Sequence, residues 1–331
     1  MSTPVIDLDA GEARSVAALT RELAERHAAV DGSFLADALT AAQELPRRLR
    51  EQLNAFRLHD TAPAYRIVRG YVVAESALEP TPRHWQDDDR GSASREHEMA
   101  LALIASVLGD PFGWSTQQGG RIVNDVIPIA AHEHDDVDTG SAQPTMWHVE
   151  NAFHDDRCDY FGLMCLRNPT RAATTVATLD AGSLDADTLA VLRQPRYVIE
   201  PDLAHLKEQA GRTLDTIAIF FGDAAAPYVR FDPVTTRAQP NDPAAAAALR
   251  ALVAAIDASL GEVILEPGQI LFVDNYRALH GRRPFRARYD GADRWLKRVD
   301  VTRDLRKSRA IRAAATSRVL TTAREAVGAE R

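Results

Sequence analysis

The chain has 331 residues, 39 Lys+Arg against 47 Asp+Glu, a formal net charge of −8 and 45% hydrophobic residues. That length suits one large domain or two ordinary ones around a sizeable core, and the acidic balance argues against a nucleic-acid partner, which needs a basic face to displace counterions. No apolar run approaches the roughly 20 residues that cross a bilayer, and the opening MSTPVIDLDAGEARS lacks the basic start and apolar core of a secretion signal. A cytoplasmic, reduced protein without membrane attachment is therefore expected, with its two cysteines, Cys158 and Cys165, as packing residues.

Taken in chain order, residues 11–57 place Ala, Leu and Val at three- and four-residue spacing between charges, which predicts helix. AYRIVRGYVVA (64–74) predicts one or two strands, 81–93 a polar loop and 96–109 a further helix. From about residue 120 the texture changes to short β-type runs separated by turn residues: GRIVNDVIPI, TMWHVENAF, YFGLMCLR, TTVATL, IAIFFG, YVRFD, EVILEPGQILFVDN and WLKRVDVT. Helical pieces interrupt them near 185–194 and at 242–260. The pattern predicts a β-barrel-like core wrapped by helices. With no internal repeat and no Gly/Ser linker it reads as one domain: residues 1–110 packing on a core of 111–312, then a tail, 313–331. Three polar stretches, 131–143, 200–215 and 233–243, are candidate lids.

The stretch MWHVENAFH (146–154) carries the first chemical signal. On a strand, residues i and i+2 point to one face, so His148 and Glu150 converge. Alone, such a pair is ordinarily a polar patch. A third ligand is offered by His280 in PGQILFVDNYRALHGR, where a Pro-Gly turn starts a strand running to Asp274-Asn275 and a short loop then presents His280. Two histidines and one carboxylate with open positions are the donor set of non-haem Fe(II) oxygenases. His154 reads as a structural neighbour; His132 and His134 lie in an acidic loop, His134 being the weaker alternative ligand. Further on, in GADRWLKRVDV, alternation puts Arg294, Leu296 and Arg298 on one face. Two arginines facing a barrel interior are costly unless they meet anions; the bland alternative is an exposed edge strand.

With these residues in hand, the chain resembles the clavaminate synthase-like Fe(II)/2-oxoglutarate oxygenases, and within them the amino-acid hydroxylases of the asparagine oxygenase and viomycin-pathway arginine β-hydroxylase type. The resemblance rests on GGRIVNDVIP, WHVENAFH, GLMCLRNP, VDNYRALHGR and RYDGADRWLKRVDVTRDLRKSRA, spread over roughly residues 110–312. It implies a double-stranded β-helix (jelly-roll) core flanked by helices, Fe(II) held by His148, Glu150 and His280, and 2-oxoglutarate held by Arg294 and Thr174 (Thr175 if the alignment slips by one). It also implies an amino acid whose α-carboxylate meets Arg298. Gln117, or its neighbour Gln118, would face the α-amino group beside Glu150, and Asp232 would lie near the side chain. The arginine hydroxylase has a second acid two residues after its equivalent of Asp232; here that position is Val234, so strict arginine specificity is not implied. Glu150 stands where iron halogenases carry a small residue, so halogenation is not expected.

The resulting expectation is a hydroxylase that uses O2 and 2-oxoglutarate to oxidise a β- or γ-carbon of a free basic L-amino acid, arginine or lysine, releasing succinate and CO2. Asparagine, glutamine, citrulline or a carrier-bound amino acid are alternative substrates, and desaturation or cyclisation alternative outcomes. The acidic run EHDDVD (133–138) either attracts a cationic substrate or is simply a solvated face. A metal-binding barrel without activity would have no need of the two arginines, and a zinc hydrolase would call for a general base such as that of an HExxH helix, which is absent. A monomer or weak homodimer acting on a small molecule is expected.

Overall fold

The computed structural model describes residues 4–59, 62–87, 91–178, 181–202, 205 and 214–321. It is a mixed α/β structure built on two extended sheets. The larger runs in the order Val5–Asp7, Tyr65–Arg69, Ile270–Asp274, Tyr160–Arg167, Trp295–Thr302, Asp110–Trp114 and Val319–Leu320, with Val123–Val126 also pairing along Trp295–Thr302. The smaller runs Gly261–Val263, Thr174–Thr178, Ala278–Arg282, Thr145–His148. Phe112, Phe161, Leu163, Leu271 and Leu296 of the first sheet share one apolar cluster with Val176 and Ala278 of the second, so the sheets pack face to face.

The outer face of each sheet is covered by helices. The predicted helical stretch 11–57 is three helices, Ala10–Arg26, Gly32–Ala41 and Arg47–Leu58. Asp9 starts the first with a capping box to Glu12, and Asp31 caps the second through Phe34 N. Together with Ser92–Ala105 they bury Leu23, Phe34, Leu53 and Leu101 against Met164, Phe272, Val299 and Val301. On the far side, Ala186–Leu192 and Pro243–Ser259, the latter opened by an Asp242 cap and a proline at its first turn, cover Trp147, Ala177 and Leu279.

The strand Trp295–Thr302 shows how period-2 alternation sorts chemistry between layers. Trp295, Val299 and Val301 face the helices, whereas Leu296 faces the space between the sheets. Lys297, on the helix side and fully buried, is matched by Glu98 at 2.7 Å and by Asp125, which also accepts from Trp295 Nε1 at 2.7 Å and Arg121 at 2.6 Å. That network compensates the burial of a cation. Arg294, Leu296 and Arg298 all line the cavity on the opposite face, so the edge-strand alternative is discarded.

Several boundaries differ from expectation. His280 is not on a loop: it sits at the centre of the strand Ala278–Arg282, between Thr174–Thr178 and Thr145–His148. The run 145–153 stops being a strand at His148, and 228–232 is strand only over Pro227–Val229. Within the tail, Val319–Leu320 adds a parallel edge to Asp110–Trp114. Of the expected lids, 131–143 is an ordered loop closed by Ile129 N–Thr139 O (2.9 Å), and 233–243 includes the strand Thr236–Ala238. Most of 200–215 lies outside the described residues. Cys158 and Cys165 are buried free thiols, Cys165 pushed up to about 12 by burial, as fits packing residues. No helix among the described residues is long and apolar enough to cross a membrane.

Candidate active site

His148 and His280 are direct cross-strand partners, and their ring centroids lie 4.5 Å apart. His148 Nδ1 lies 2.8 Å from Met146 O. Donation to that carbonyl orients the ring so that Nε2 faces inward, ready to ligate a metal once it gives up its proton, an arrangement common among metal-bound imidazoles. His280 is backed by the Phe161 ring, centroid to centroid 3.9 Å. Glu150 lies in the turn just beyond the strand. Its backbone is pinned there by Asn275, whose Oδ1 accepts from Glu150 N (2.8 Å) and whose Nδ2 donates to Glu150 O and Cys158 O (both 3.0 Å). Glu150 Oε2 then sits 3.5 Å from His148 Nε2 and 3.4 Å from His280 Nε2.

The three donor atoms lie within 4.8 Å of one another, and among the described residues this is the cluster suited to a metal ion. Burial lowers the His148 imidazole's affinity for a proton, but the hydrogen bond and charge of Glu150, helped by Asp232, outweigh it and raise the group to about 9. His280 is pushed down to about 4 by burial and by the charge of His148. One carboxylate thus supports one proton between two imidazoles. Glu150 itself is held well below the usual carboxylate range: burial opposes ionisation, but Arg298 and the histidines prevail. Two imidazole nitrogens and a carboxylate oxygen, converging on a cavity and sharing a single proton, fit a divalent ion with open coordination positions, the donor chemistry of Fe(II).

The cavity beside them is lined by Thr174, Arg282, Arg294 and Arg298 together with the three donors. Arg294 is the unusual member. It is buried, donates no hydrogen bond to any described residue, and its Nε is without a partner. Burial and the charge of Arg282 bring it down to about 10. Arg282, absent from the expected set, is bonded to Thr145 Oγ1 (3.0 Å), Gln143 O (3.3 Å) and Ser141 O (3.4 Å). Arg298 is anchored instead: Nη1 lies 3.2 Å from both Glu150 Oε1 and Asp138 Oδ2, and Nη2 3.2 Å from Gln117 Oε1. Burial works against its charge, but Glu150, Asp138 and Asp300 raise it above the usual arginine value.

The members of each ambiguous pair are placed differently. Gln117 faces Arg298 and Asn151, whereas Gln118 turns away to bond both backbone groups of Asp125 at 2.7 and 2.9 Å. Thr174 lines the cavity and Thr175 does not. Asp232 does not line it either: Oδ1 accepts from Val234 N (2.7 Å) and Thr235 N (3.3 Å), capping its own turn, although its charge is felt at His148. Val234 points to solvent at 47% exposure. His154 packs on Trp114 and His132 bonds Thr139 Oγ1 at 2.7 Å, while His134 is exposed and outside the cluster.

Three residues around the site went unread in the sequence, Asn275, Arg282 and Asp300, and Asp138 was read only as part of the acidic run 133–138. Arg282 had a signal, since it stands two residues after His280 on the same strand. Asp300 is two after Arg298, buried with Oδ1 unpartnered and raised to about 7 by burial and by Glu150. Asn275 and Asp138 reach the site from loops and carry no periodic signal.

Residues 211–299 match the taurine catabolism dioxygenase TauD, TfdA family. The chain is 40% identical to an enduracididine beta-hydroxylase of Streptomyces hygroscopicus, with 95% of this chain and 99% of that protein covered. It is likewise 40% identical to an L-ornithine/L-arginine 3-hydroxylase of Catenulispora acidiphila, with 95% and 98% covered. Among solved structures, the non-heme iron oxygenase OrfP in complex with Fe, succinate and (3S)-hydroxy-L-Arg aligns with a TM-score of 0.91 at 41% identity, over 96% of this chain and 100% of that one.

Proposed function

Because the chain belongs to the TauD, TfdA dioxygenase family, alongside amino-acid hydroxylases, we propose that it is an Fe(II)/2-oxoglutarate-dependent hydroxylase of a free basic L-amino acid. The reaction converts 2-oxoglutarate, O2 and the amino acid to succinate, CO2 and a product hydroxylated at its β- or γ-carbon. The observation that carries this reading is the Arg294 guanidinium, buried without a counter-ion among the described residues and opening onto the same cavity as the three donors. A desolvated cation of this kind calls for an anion from outside the protein.

In this reading His148, Glu150 and His280 hold the iron, which when bound supplies the redox chemistry coupling decarboxylation of 2-oxoglutarate to C–H hydroxylation. Arg294 takes the distal carboxylate of 2-oxoglutarate, with Thr174 beside it. Arg298 takes the α-carboxylate of the amino acid, and Gln117 and Glu150 frame its amino group. Asp232 stands outside the cavity lining, but its charge reaches His148 and its turn occupies Oδ1, so its Oδ2 is assigned to meet a cationic side chain that extends beyond the cavity, arginine or ornithine being favoured by the relatives and lysine by charge alone. Leu163, Leu296 and Val126 line the remaining wall and exclude water from the reacting carbon. No side chain needs to act as acid or base on the C–H bond; the chain's tasks are to bind, orient and seal. The two facing sheets are read as the halves of a double-stranded β-helix within a single domain.

The test is aerobic incubation with Fe(II), ascorbate, 2-oxoglutarate and each of L-arginine, L-ornithine and L-lysine. Succinate should form in step with an amino-acid product heavier by one oxygen atom. Succinate release indifferent to all three amino acids would refute the substrate assignment.

A further inference from the structure

Among the described residues that contact Arg298, Asp138 is the acid that reaches solvent. Glu150 is buried and fixed through Asn275, and Gln117 is held between Arg298 and Asn151. The Asp138 side chain is 40% exposed. It stands on a loop whose flanks are pinned: Thr139 bonds Ile129 and His132, and Ser141 and Gln143 bond Arg282. Its carboxylate lines the cavity at 3.2 Å from Arg298 Nη1, one of the two nitrogens that a substrate α-carboxylate would have to reach.

With Glu150 and Asp138 already on Arg298, a third carboxylate cannot dock while Asp138 holds that position without strong like-charge repulsion at short range. An α-amino acid brings its own remedy, because its ammonium is attached one carbon from its carboxylate. We propose that Asp138 is a substrate-positioning residue: it holds Arg298 in the free enzyme and passes to the α-ammonium of the amino acid when the α-carboxylate takes its place. The inference rests on the assignment of Arg298 above. One ion pair is exchanged for two, and no charge is left unpaired in a poorly solvated site either before or after binding. Gln117 contributes a neutral acceptor nearby, whereas Asp138 supplies the opposite charge.

The exchange also sets specificity. A ligand with the carboxylate but without the ammonium displaces Asp138 from Arg298 and gives it nothing in return. Its carboxylate then faces Asp138, a repulsion built against acids that are not α-amino acids. Asp138 therefore selects the head group, leaving the side chain to be read elsewhere.

The experiment compares L-arginine with its analogue lacking the α-amino group, desamino-arginine. Binding to wild-type, Asp138→Asn and Asp138→Ser protein, loaded with Fe(II) and 2-oxoglutarate without oxygen, is measured by calorimetry. Turnover of L-arginine is then resolved into KM and kcat. Loss of a charged hydrogen bond should weaken L-arginine about 10- to 100-fold in both variants, with KM moving more than kcat. Desamino-arginine should bind the variants as well as or better than it binds wild type, so the preference collapses. Unchanged 2-oxoglutarate binding reports an intact site. Equal losses on both ligands, or tighter L-arginine binding as expected of a mere plug, would overturn the role of Asp138 alone. Wild-type protein that loads 2-oxoglutarate but binds no free basic amino acid would overturn the substrate reading and this inference with it.

Discussion

Replacing Arg294 by leucine should separate the stability of the fold from the binding of cosubstrate. In the free protein the guanidinium is buried, pairs with no carboxylate among the described residues, and is displaced from its ordinary value of 12.5 to about 10. That displacement corresponds to about 3 kcal/mol of unfavourable surroundings for the charged form. A ligand carboxylate on Arg294 would recover a sum of this order, and its loss predicts roughly 150-fold weaker 2-oxoglutarate binding. Removal of an unsatisfied buried cation should meanwhile leave the ligand-free fold as stable as wild type or more so, since leucine fills an apolar wall without desolvating a charge. Anaerobic titration of 2-oxoglutarate into Fe(II)-loaded protein gives the first quantity, and thermal unfolding with and without 2-oxoglutarate the second. Wild-type should gain in Tm on adding the ligand; Arg294→Leu should not. Arg294→Lys, a point charge without the fork, should fall between. Cosubstrate affinity within about threefold of wild type would refute the argument, because the buried charge would then have no ligand to answer.

His148→Ala or His280→Ala should abolish hydroxylated product and weaken iron binding, whereas Glu150→Ala should retain some iron and lose hydroxylation; near-normal product from either histidine variant contradicts the assignment. Since His148 holds a proton up to about 9 while His280 is neutral above about 4, binding a divalent ion at neutral pH should release about one proton. Affinity should then drop about tenfold for each unit of falling pH below 9 and level off above it; calorimetry in buffers of different ionisation enthalpy reads this directly, and a flat profile between pH 6 and pH 8, taken as an approximate window, would rule it out. Asn275→Ala removes three buried bonds to the Glu150 and Cys158 backbone and should cost roughly 2–4 kcal/mol in urea unfolding as well as metal affinity. Asp232→Asn should reduce kcat/KM on the best basic amino acid by about 10²-fold with cosubstrate binding unchanged; unaltered kinetics would mean that Asp232 serves only its turn.

Much of the site was legible locally. Leu296 and Arg298 are separated by an even step within one strand, which fixes a common face; the even steps from His148 to Glu150 and from Arg294 to Leu296 named the right residues, although Glu150 lies in the turn after its strand and Arg294 just ahead of its own. The same rule would have delivered Arg282 from His280. Helix caps at Asp9, Asp31 and Asp242 are likewise short-range chemistry; the helices after Asp9 and Asp242 start within a residue of the sequence reading, Ser92–Ala105 starts four residues earlier than read, and the breaks that divide 11–57 into three helices went unread. What the sequence by itself determined, then, was the donor types, their pairing along each segment and the alternation that turns charged groups inward.

Only the tertiary structure decided which segments meet. Asn275 grips Glu150 across 125 residues, Asp138 reaches Arg298 across 160 and Gln117 across 181. None of these partners is implied by spacing, because each depends on the register of two sheets and the path of loops between them. The same holds for Gln117 against Gln118: one peptide apart, they are separated by a backbone turn at Gln118 (φ 45°) that sends one side chain to Arg298 and the other to Asp125. Asp232 shows the reverse, an acid whose local turn claims one oxygen before any ligand arrives. Side-chain type and face are properties of a few consecutive bonds, whereas charge compensation in a buried site is a property of everything packed around it.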